Sequence, residues 1–181
     1  HFPALLSGLR TLDGEQRVQL LDGIDNLAKE FPDNTKLMLT QALGRAAAQQ
    51  FALAQSHLER LFAVEPDNQQ ALVLEAKILI EQGSDEPFSR IEAALEDEDN
   101  SELRMQYARL LTRSDMTQAP KQFEILSAKS PRDGDLLFSL ALINRDTGAN
   151  LVAAAYLRHV LALDPRVDEA TYYLCRISED Q

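Results

Sequence analysis

The chain of 181 residues contains one cysteine and no tryptophan, and only seven glycines and seven prolines. A single cysteine cannot form an internal disulfide, so cysteine usage does not identify the compartment. So few glycines and prolines exclude a collagen-like or low-complexity chain. Long apolar runs are also missing, because the longest nearly apolar run, residues 136–143, falls far short of the roughly 18 residues that a membrane span needs.

Positive charge is scarce as well, since 18 Lys and Arg against 29 Asp and Glu give a net charge of −11. This balance disfavours nucleic acid and anionic membrane surfaces as partners, because neutralising phosphates requires clustered Lys and Arg. No secretory signal is visible. The chain opens on His1-Phe2-Pro3 without a methionine, which indicates a piece excised from a longer protein.

Motifs for catalysis and metal binding are missing from the sequence. There is no G-x-S-x-G, no H-E-x-x-H and no phosphate-cradling glycine loop. The acidic run 96–99 lacks the glycine and the distal glutamate of a calcium loop, so we interpret it as a solvated turn that favours the next helix N-terminus. We therefore expect no enzyme activity, no metal and no cofactor.

Proline recurs with a fixed spacing, because Pro32 and Pro66 are 34 residues apart, as are Pro131 and Pro165. A period near 34 is the signature of a helix–turn–helix repeat array. Aligning the repeats on proline gives a column of small residues, which lets antiparallel helices approach closely: Gly8, Ala42, Ala76, Ala108, Ala141 and Cys175. Cys175 is accordingly predicted to be a buried packing residue rather than a reactive thiol.

Two apolar columns follow the small one, three residues apart and so on one helical face. They comprise Ile24, Leu58, Ile91, Phe123 and Leu157, and then Leu27, Leu61, Ala94, Leu126 and Val160. Glycine is expected at turns that need a positive φ, and Asp-Asn pairs at helix N-caps. The glycines are Gly14, Gly83 and Gly148, the pairs are 33–34, 67–68 and 99–100, and Pro87 and Pro120 are expected near the starts of second helices.

These columns predict an all-α fold with no sheet, organised as one solenoid over residues 1–181. The predicted helix pairs span residues 1–34, 35–68, 69–100, 101–133 and 134–167, and the first helix of a sixth pair spans 168–181. A sixth pair that lacks its second helix should leave an apolar edge exposed, at Tyr172, Tyr173, Leu174 and Ile177.

The sequence resembles tetratricopeptide repeat (TPR) proteins, most clearly through Leu140-Ala141, Gly148, Ala153, Leu157, Val160-Leu161 and Pro165. The resemblance covers essentially the whole chain and implies a right-handed α-α superhelix of about eleven helices. It departs from the usual pattern at Gln41 and Glu75, which stand at normally apolar positions, and in the lack of an aromatic residue near the start of each first helix.

A narrower resemblance, to TPR lipoproteins of the Gram-negative outer membrane, rests on segments 107–111, 122–126, 135–141 and 172–177. Some of these lipoproteins are adaptors that bring a periplasmic carboxyl-terminal processing protease to its cell-wall hydrolase substrates. The resemblance implies a periplasmic, outer-membrane-associated adaptor, held by a lipid anchor outside this chain, whose partners are that protease and its substrates.

In TPR arrays the first helices line the concave face, so the resemblance implies which positions meet a partner. They are Leu39, Leu43, Val73, Lys77, Ile80, Met105, Arg109, Arg113, Phe138, Leu142, Arg145, Tyr172 and Arg176. Five of these are cations, which would suit an acidic segment or a peptide's terminal carboxylate. The alternative is that they pair within the chain, with neighbours such as Glu81, Glu102 and Asp146.

The leading interpretation of function is a non-catalytic scaffold that captures a protein partner along a curved helical surface. One alternative is a chaperone-type module that shields segments of secretion or pilus subunits. Another is an accessory repeat domain of a larger enzyme, whose catalytic part would lie outside this chain.

Overall fold

The computed structural model describes residues 13–84, 88–97 and 99–179, where it contains ten α-helices and no strand. The chain divides after Gln82 into two compact units. Unit 1 contains α1 (Gly14–Glu30), α2 (Thr35–Ala47), α3 (Phe51–Phe62) and α4 (Gln69–Gln82). Unit 2 contains α5 (Ser89–Asp97), α6 (Ser101–Ser114), α7 (Ala119–Lys129), α8 (Gly134–Asp146), α9 (Asn150–Leu163) and α10 (Asp168–Glu179). The all-α prediction is confirmed.

Unit 1 is built on the pair of α2 and α3, with α1 packed on α2 and α4 packed on α3. Ala42 of α2 and Ala54 of α3 are fully buried, which allows the close approach that the small-residue column predicts. Close approach also holds at Gly44, where an added Cβ would lie 2.5 Å from a methyl carbon of Leu21 on α1. Small residues therefore set the helix spacing in this unit.

Unit 2 packs each helix mainly on its sequence neighbours, most extensively α8 on α9. The core that joins α8, α9 and α10 consists of Leu137, Ala141, Ala153, Ala154, Leu157, Val160, Ala170 and Ile177. Removing such side chains from water supplies most of the favourable free energy of folding, since burying one leucine contributes roughly 1.5–3 kcal/mol.

The predicted column of small residues is buried at four of its described positions and exposed at the fifth. Ala42, Ala76, Ala108 and Ala141 are buried, whereas Gly8 lies outside the described residues. Cys175 is exposed, so its predicted packing role is wrong. Among the described residues no helix follows α10, so no neighbouring helix covers Cys175 as the repeat pattern predicts.

The two apolar columns show the same dependence on neighbours. Leu58, Leu61, Phe123, Leu126, Leu157 and Val160 are buried as predicted, and so is Ile91. Leu27 is 45% exposed on α1, so the prediction for that position is wrong. The main packing partner of α1 among the described helices is α2, and Leu27 gains little cover from it.

The exposed edge predicted for the last helix is present only in part. Tyr172 is 56% exposed, and Tyr173 and Leu174 are half-buried against the core of α8, α9 and α10. Ile177 is buried at 3% exposure, so the prediction is wrong for that residue. Ile177 is buried because it belongs to the core that α8 and α9 share with α10.

Asparagine and aspartate begin four of the helices at equivalent positions of the repeat. Each Oδ1 accepts a hydrogen bond from the backbone N–H three residues later, from Leu37, Ala71, Leu103 and Leu136, at 3.0–3.2 Å. The acceptors are Asn34, Asn68, Asn100 and Asp133, so capping by the Asp-Asn pairs is confirmed and the asparagine provides it. A side-chain cap of this kind is worth about 1 kcal/mol.

Two of the three predicted turn glycines adopt a positive φ, +63° at Gly83 and +82° at Gly148. The prediction for Gly14 is wrong, because this residue begins α1 directly after the N-cap Asp13. Pro120 lies in the first turn of α7, as predicted, whereas Pro87 lies outside the described residues. Within the described part of the chain, no helix combines the length and the apolar character needed to cross a membrane.

Candidate partner-binding site

The predicted partner-binding residues occupy equivalent positions in successive first helices. One set is Leu39, Val73, Met105, Phe138 and Tyr172, and the set four residues later is Leu43, Lys77, Arg109, Leu142 and Arg176. Offsets of four place each pair on one side of its helix. Exposure decides which of these positions can meet a partner.

In unit 1 most of these side chains are covered. Leu39, Leu43 and Val73 are buried at 4%, 6% and 9% exposure, so they offer little surface. Lys77 is exposed and Ile80 is half-buried on α4. The partner-binding prediction therefore has little accessible area in this unit.

In unit 2 the equivalent side chains are accessible. Arg109, Arg113, Tyr172 and Arg176 are exposed, and the others are half-buried. We define the unit 2 stripe as seven of these side chains on α6, α8 and α10: Met105, Arg109, Phe138, Leu142, Arg145, Tyr172 and Arg176. It alternates apolar and cationic side chains along three first helices of one compact unit.

Arg145 occupies a defined position within the stripe. Its Nε and Nη2 donate to Oδ1 of Asp146, at 2.8 and 2.5 Å, and its guanidinium lies 4.5 Å from the centroid of the Tyr173 ring. The hydrogen bonds to Asp146 raise the pKa of Arg145 above its ordinary value, although partial burial opposes this, so the guanidinium stays charged. The alternative of pairing within the chain thus applies to Arg145 and Asp146.

Three aromatic rings connect α8 to α10 beside this arginine. The ring centroids of Phe138 and Tyr173 are 5.9 Å apart. Those of Tyr173 and Tyr172 are 5.3 Å apart, in an edge-to-face arrangement. Such pairs contribute about 0.5–1.5 kcal/mol beyond their buried area. The rings therefore link α8 to α10 beside the unit 2 stripe.

Two grooves of opposite charge lie at the ends of α8, α9 and α10. A basic groove of about 270 Å³ is lined by Arg145, Asn150, Tyr172, Tyr173, Arg176 and Ile177. An acidic groove of about 470 Å³ is lined by Asp133, Gly134, Asp135, Phe138, Val160, Leu163, Asp164, Val167 and Glu169. The surface of unit 2 is thus electrostatically polarised along these helices.

A buried polar network in unit 1 explains the unusual glutamine at position 41. Nε2 of Gln41 donates to Oδ1 of Asp25 at 2.8 Å, and Nη2 of Arg45 donates to Oδ2 of the same carboxylate. Burial disfavours the charged form of Asp25, but the hydrogen bonds from Gln41 and Arg45 outweigh this and hold its pKa below the ordinary value. The glutamine is therefore structural, and it joins α2 to α1.

A second network, in unit 2, was not foreseen from the sequence. Arg104 is only 9% exposed and donates to Oδ1 of Asp99, Oε1 of Gln122 and the carbonyl oxygen of Leu95. Lys129 also pairs with Asp99, at 2.6 Å. Hydrogen bonds from Lys129 and Arg104 hold the pKa of Asp99 below its ordinary value, so this residue of the acidic run binds two cations instead of being a merely solvated carboxylate.

The described residues contain no group of three or more His, Cys, Asp and Glu side chains placed to hold a metal ion. The only cysteine, Cys175, is exposed on α10.

No protein-family model and no curated protein sequence matches this chain. Among solved structures, YrrB, described as a TPR protein with an unusual peptide-binding site, superposes with a TM-score of 0.71. The superposition covers 87% of this chain and 83% of YrrB, at 14% sequence identity. The fold is of the TPR type. At this level of identity the likeness shows the fold alone, and it confirms the expectation of helix pairs drawn from the 34-residue period.

Proposed function

We propose that this protein is a non-catalytic scaffold that binds an extended protein segment along the unit 2 stripe. The supporting observation is the accessibility of apolar and cationic side chains at equivalent positions of α6, α8 and α10. The TPR-type fold is consistent with this role, and so is the peptide-binding site described for YrrB.

The chemistry of the stripe favours a segment that carries acidic groups between apolar ones. Arg109 and Arg176 are exposed at equivalent repeat positions, with the half-buried Leu142 between them in the series. Arginine binds carboxylates through two parallel hydrogen bonds, which gives both affinity and orientation. A net charge of −11 for the chain as a whole makes this basic surface distinct from its surroundings.

The proposed cellular location and partners rest on the sequence resemblance to TPR lipoproteins of the Gram-negative outer membrane. We propose an adaptor of the bacterial cell envelope, located in the periplasm and associated with the outer membrane. Its partners would be a carboxyl-terminal processing protease and the substrates of that protease. Cell fractionation of the parent protein tests the location, and recovery in the cytoplasm would contradict it.

The binding role is tested with peptides selected on the full chain from a phage-displayed random library. The affinity of selected peptides is measured by calorimetry for the unaltered chain and for the double variant Arg109→Glu, Arg176→Glu. We expect the double variant to bind about 100-fold more weakly, because two charge-assisted contacts become repulsive.

The matched control is the double variant Lys121→Glu, Arg158→Glu, which makes the same charge change at exposed positions of the second helices α7 and α9. This variant should bind the selected peptides as the unaltered chain does. Equal affinity for the double variant and the unaltered chain would exclude the unit 2 stripe as the binding surface.

A further inference from the structure

The basic groove of unit 2 combines cations, aromatic rings and a helix start in a small volume. Arg145 comes from the end of α8, Asn150 from the start of α9, and Tyr172, Tyr173 and Arg176 from α10. Three consecutive helices thus contribute to one concave surface of about 270 Å³.

The cationic side of the groove is partly preorganised. Asp146 and the Tyr173 ring fix the guanidinium of Arg145, so its orientation needs little ordering on binding. A guanidinium has five N–H donors, of which two donate to Asp146 and one to Tyr173, so donors remain for a ligand. Arg176 is exposed, also lines the groove, and adds a second positive charge.

The start of α9 adds further donors on the same side. Its N-cap residue is Ala149, which provides no side-chain acceptor for the first-turn N–H groups. Asn150, the first residue of this 14-residue helix, lines the groove. Free N–H groups and the positive end of the helix dipole favour an anion here, in addition to the two arginines.

The apolar lining of the groove consists of two aromatic rings and one aliphatic side chain. Tyr172 and Tyr173 form an edge-to-face pair, and the buried Ile177 also lines the groove. The groove, at about 270 Å³, is smaller than the pockets of about 300–1,000 Å³ that bind drug-sized ligands. It therefore accommodates about one amino-acid residue.

We propose that this groove binds the C-terminal residue of the extended peptide, with its carboxylate between Arg145 and Arg176 and its apolar side chain against Tyr172 and Tyr173. This proposal rests on the scaffold function proposed above and names the end of the partner that is recognised. A terminal residue carries the carboxylate and the side chain on one Cα, which fits a groove of one-residue size. An internal Asp or Glu would have to continue the chain at both ends.

The test uses short peptides of defined ends on the isotopically labelled full chain. One probe is acetyl-Ala-Ala-Ala-Phe with a free carboxylate, a second is the same peptide as its C-terminal amide, and a third is acetyl-Ala-Glu-Ala-Phe amide. Binding is followed by NMR through the side-chain Nε–H signals of Arg145 and Arg176 and the ring signals of Tyr172. We expect the free acid to shift these signals and to bind about tenfold more tightly than either amide.

Variants separate this site from a general effect of charge. Arg176→Met should weaken binding of the free acid about tenfold without changing the far-ultraviolet circular dichroism, because Arg176 is exposed. Arg158→Met on α9 removes the same charge and should leave the affinity for the free acid unchanged. An equal loss in both variants would show non-specific attraction and would overturn the proposal.

The remaining outcomes also discriminate. Equal binding of the free acid and its amide would overturn the proposal, and so would equal binding of the glutamate-containing amide, which would assign the groove to side-chain carboxylates. If library-selected peptides bind the unit 2 stripe but tolerate C-terminal amidation, the scaffold function stands and recognition of the terminus fails. Failure of the selected peptides to depend on Arg109 and Arg176 would instead contradict the scaffold function.

Discussion

The guanidinium of Arg145 lies 4.5 Å from the centroid of the Tyr173 ring, and this contact joins α8 to α10. The two residues belong to first helices of neighbouring repeats, so the contact crosses the boundary between repeats. It also positions one wall of the basic groove. The contact therefore links the packing of α8 on α10 to the groove that we propose as a binding site.

A double-mutant cycle on Arg145 and Tyr173 should reveal this contact as a coupling free energy. We expect Arg145→Met and Tyr173→Leu together to cost less than the sum of the single changes, by about 0.5–1 kcal/mol, the usual range for an accessible cation–π pair. Urea unfolding followed by the backbone NMR signals of α8 and α10 measures it. The cycle of Arg158→Met with Tyr173→Leu should be additive, and additivity in both cycles would show that the contact carries no energy.

Arg104 should contribute more to the stability of unit 2 than its charge alone would indicate. Its side chain is almost fully buried and donates to acceptors from α5, α7 and the segment between α5 and α6. Replacing Arg104 by Met removes this donor from Gln122 and the Leu95 carbonyl and leaves Asp99 paired with Lys129 alone, so it should lower the free energy of unfolding by about 2 kcal/mol. Lysine at this position cannot reproduce the planar fork and should recover only part of the loss.

Lys121→Met provides the control for Arg104, since Lys121 is an exposed cation on α7. We expect it to change the free energy of unfolding by less than about 0.5 kcal/mol. Equal effects of Arg104→Met and Lys121→Met in urea unfolding would contradict the structural role of the buried arginine.

Acidification should destabilise unit 1 through His57 before it affects Asp25. Burial lowers the pKa of His57 below its ordinary 6.5, Asp25 offsets this only in part, and Arg60 and Arg45 lower it further. Nδ1 of His57 is buried and has no hydrogen-bond partner among the described residues. The unfolded chain therefore binds the proton more readily, so stability is fully present above about pH 6.5 and is lost as the pH falls through the folded-state pKa.

The contribution of Asp25 has the same sign but a lower window. Its pKa lies below the ordinary 3.8, so its stabilising effect is present above that pH and is lost only under stronger acid. Unfolding of unit 1 measured at about pH 7.5 and about pH 5 should thus report His57 rather than Asp25. His57→Gln should flatten the difference, whereas His159→Gln, at an exposed position of α9, should retain it. A retained difference in His57→Gln would exclude His57 as its origin.

The helix pairing and its caps could be predicted from the sequence because they depend on local, repeated requirements. A small residue at the point of closest helix approach and an asparagine oxygen at the helix start recur in several repeats, as at Ala42 with Asn34 and Ala108 with Asn100. These requirements involve residues within one or two turns of a helix, so a period of 34 residues is enough to locate them.

The parts that failed depend on neighbours that a repeat pattern cannot specify. Leu27 and Cys175 follow the apolar pattern but are exposed, because burial requires a covering helix and not only a position in a column. The networks of Asp25 with Gln41 and of Arg104 with Gln122 join residues 16 and 18 positions apart. These networks depend on side-chain rotamers and on residues that differ from one repeat to the next, and a repeat pattern describes only what the repeats share.

The turns after α2 and α8 have the same hydrogen bonds but different residues at the strained position. After α2, the backbone N–H of Gln49 donates to the Ala46 carbonyl at 2.9 Å, and the backbone N–H of Gln50 donates to the Arg45 carbonyl at 2.8 Å. After α8, the backbone N–H groups of Gly148 and Ala149 make the corresponding bonds at 2.9 and 2.7 Å. Gln49 adopts a φ of +59°, which glycine tolerates and a residue with a Cβ does not without cost.

Exchange of residues between these two turns should therefore have opposite effects on stability. Gln49→Gly should raise the free energy of unfolding of unit 1 by up to about 1 kcal/mol, because relief of the left-handed strain exceeds the entropic cost of glycine. Gly148→Ala should lower that of unit 2 by about 1 kcal/mol for the same reason, although an added Cβ would meet no atom within 4 Å. Gly134→Ala at the start of α8 is the control, since an added Cβ is equally free of contacts there and φ lies outside the left-handed region. Denaturant unfolding of the three variants measures these effects, and a loss of stability in Gln49→Gly would refute backbone strain at that turn.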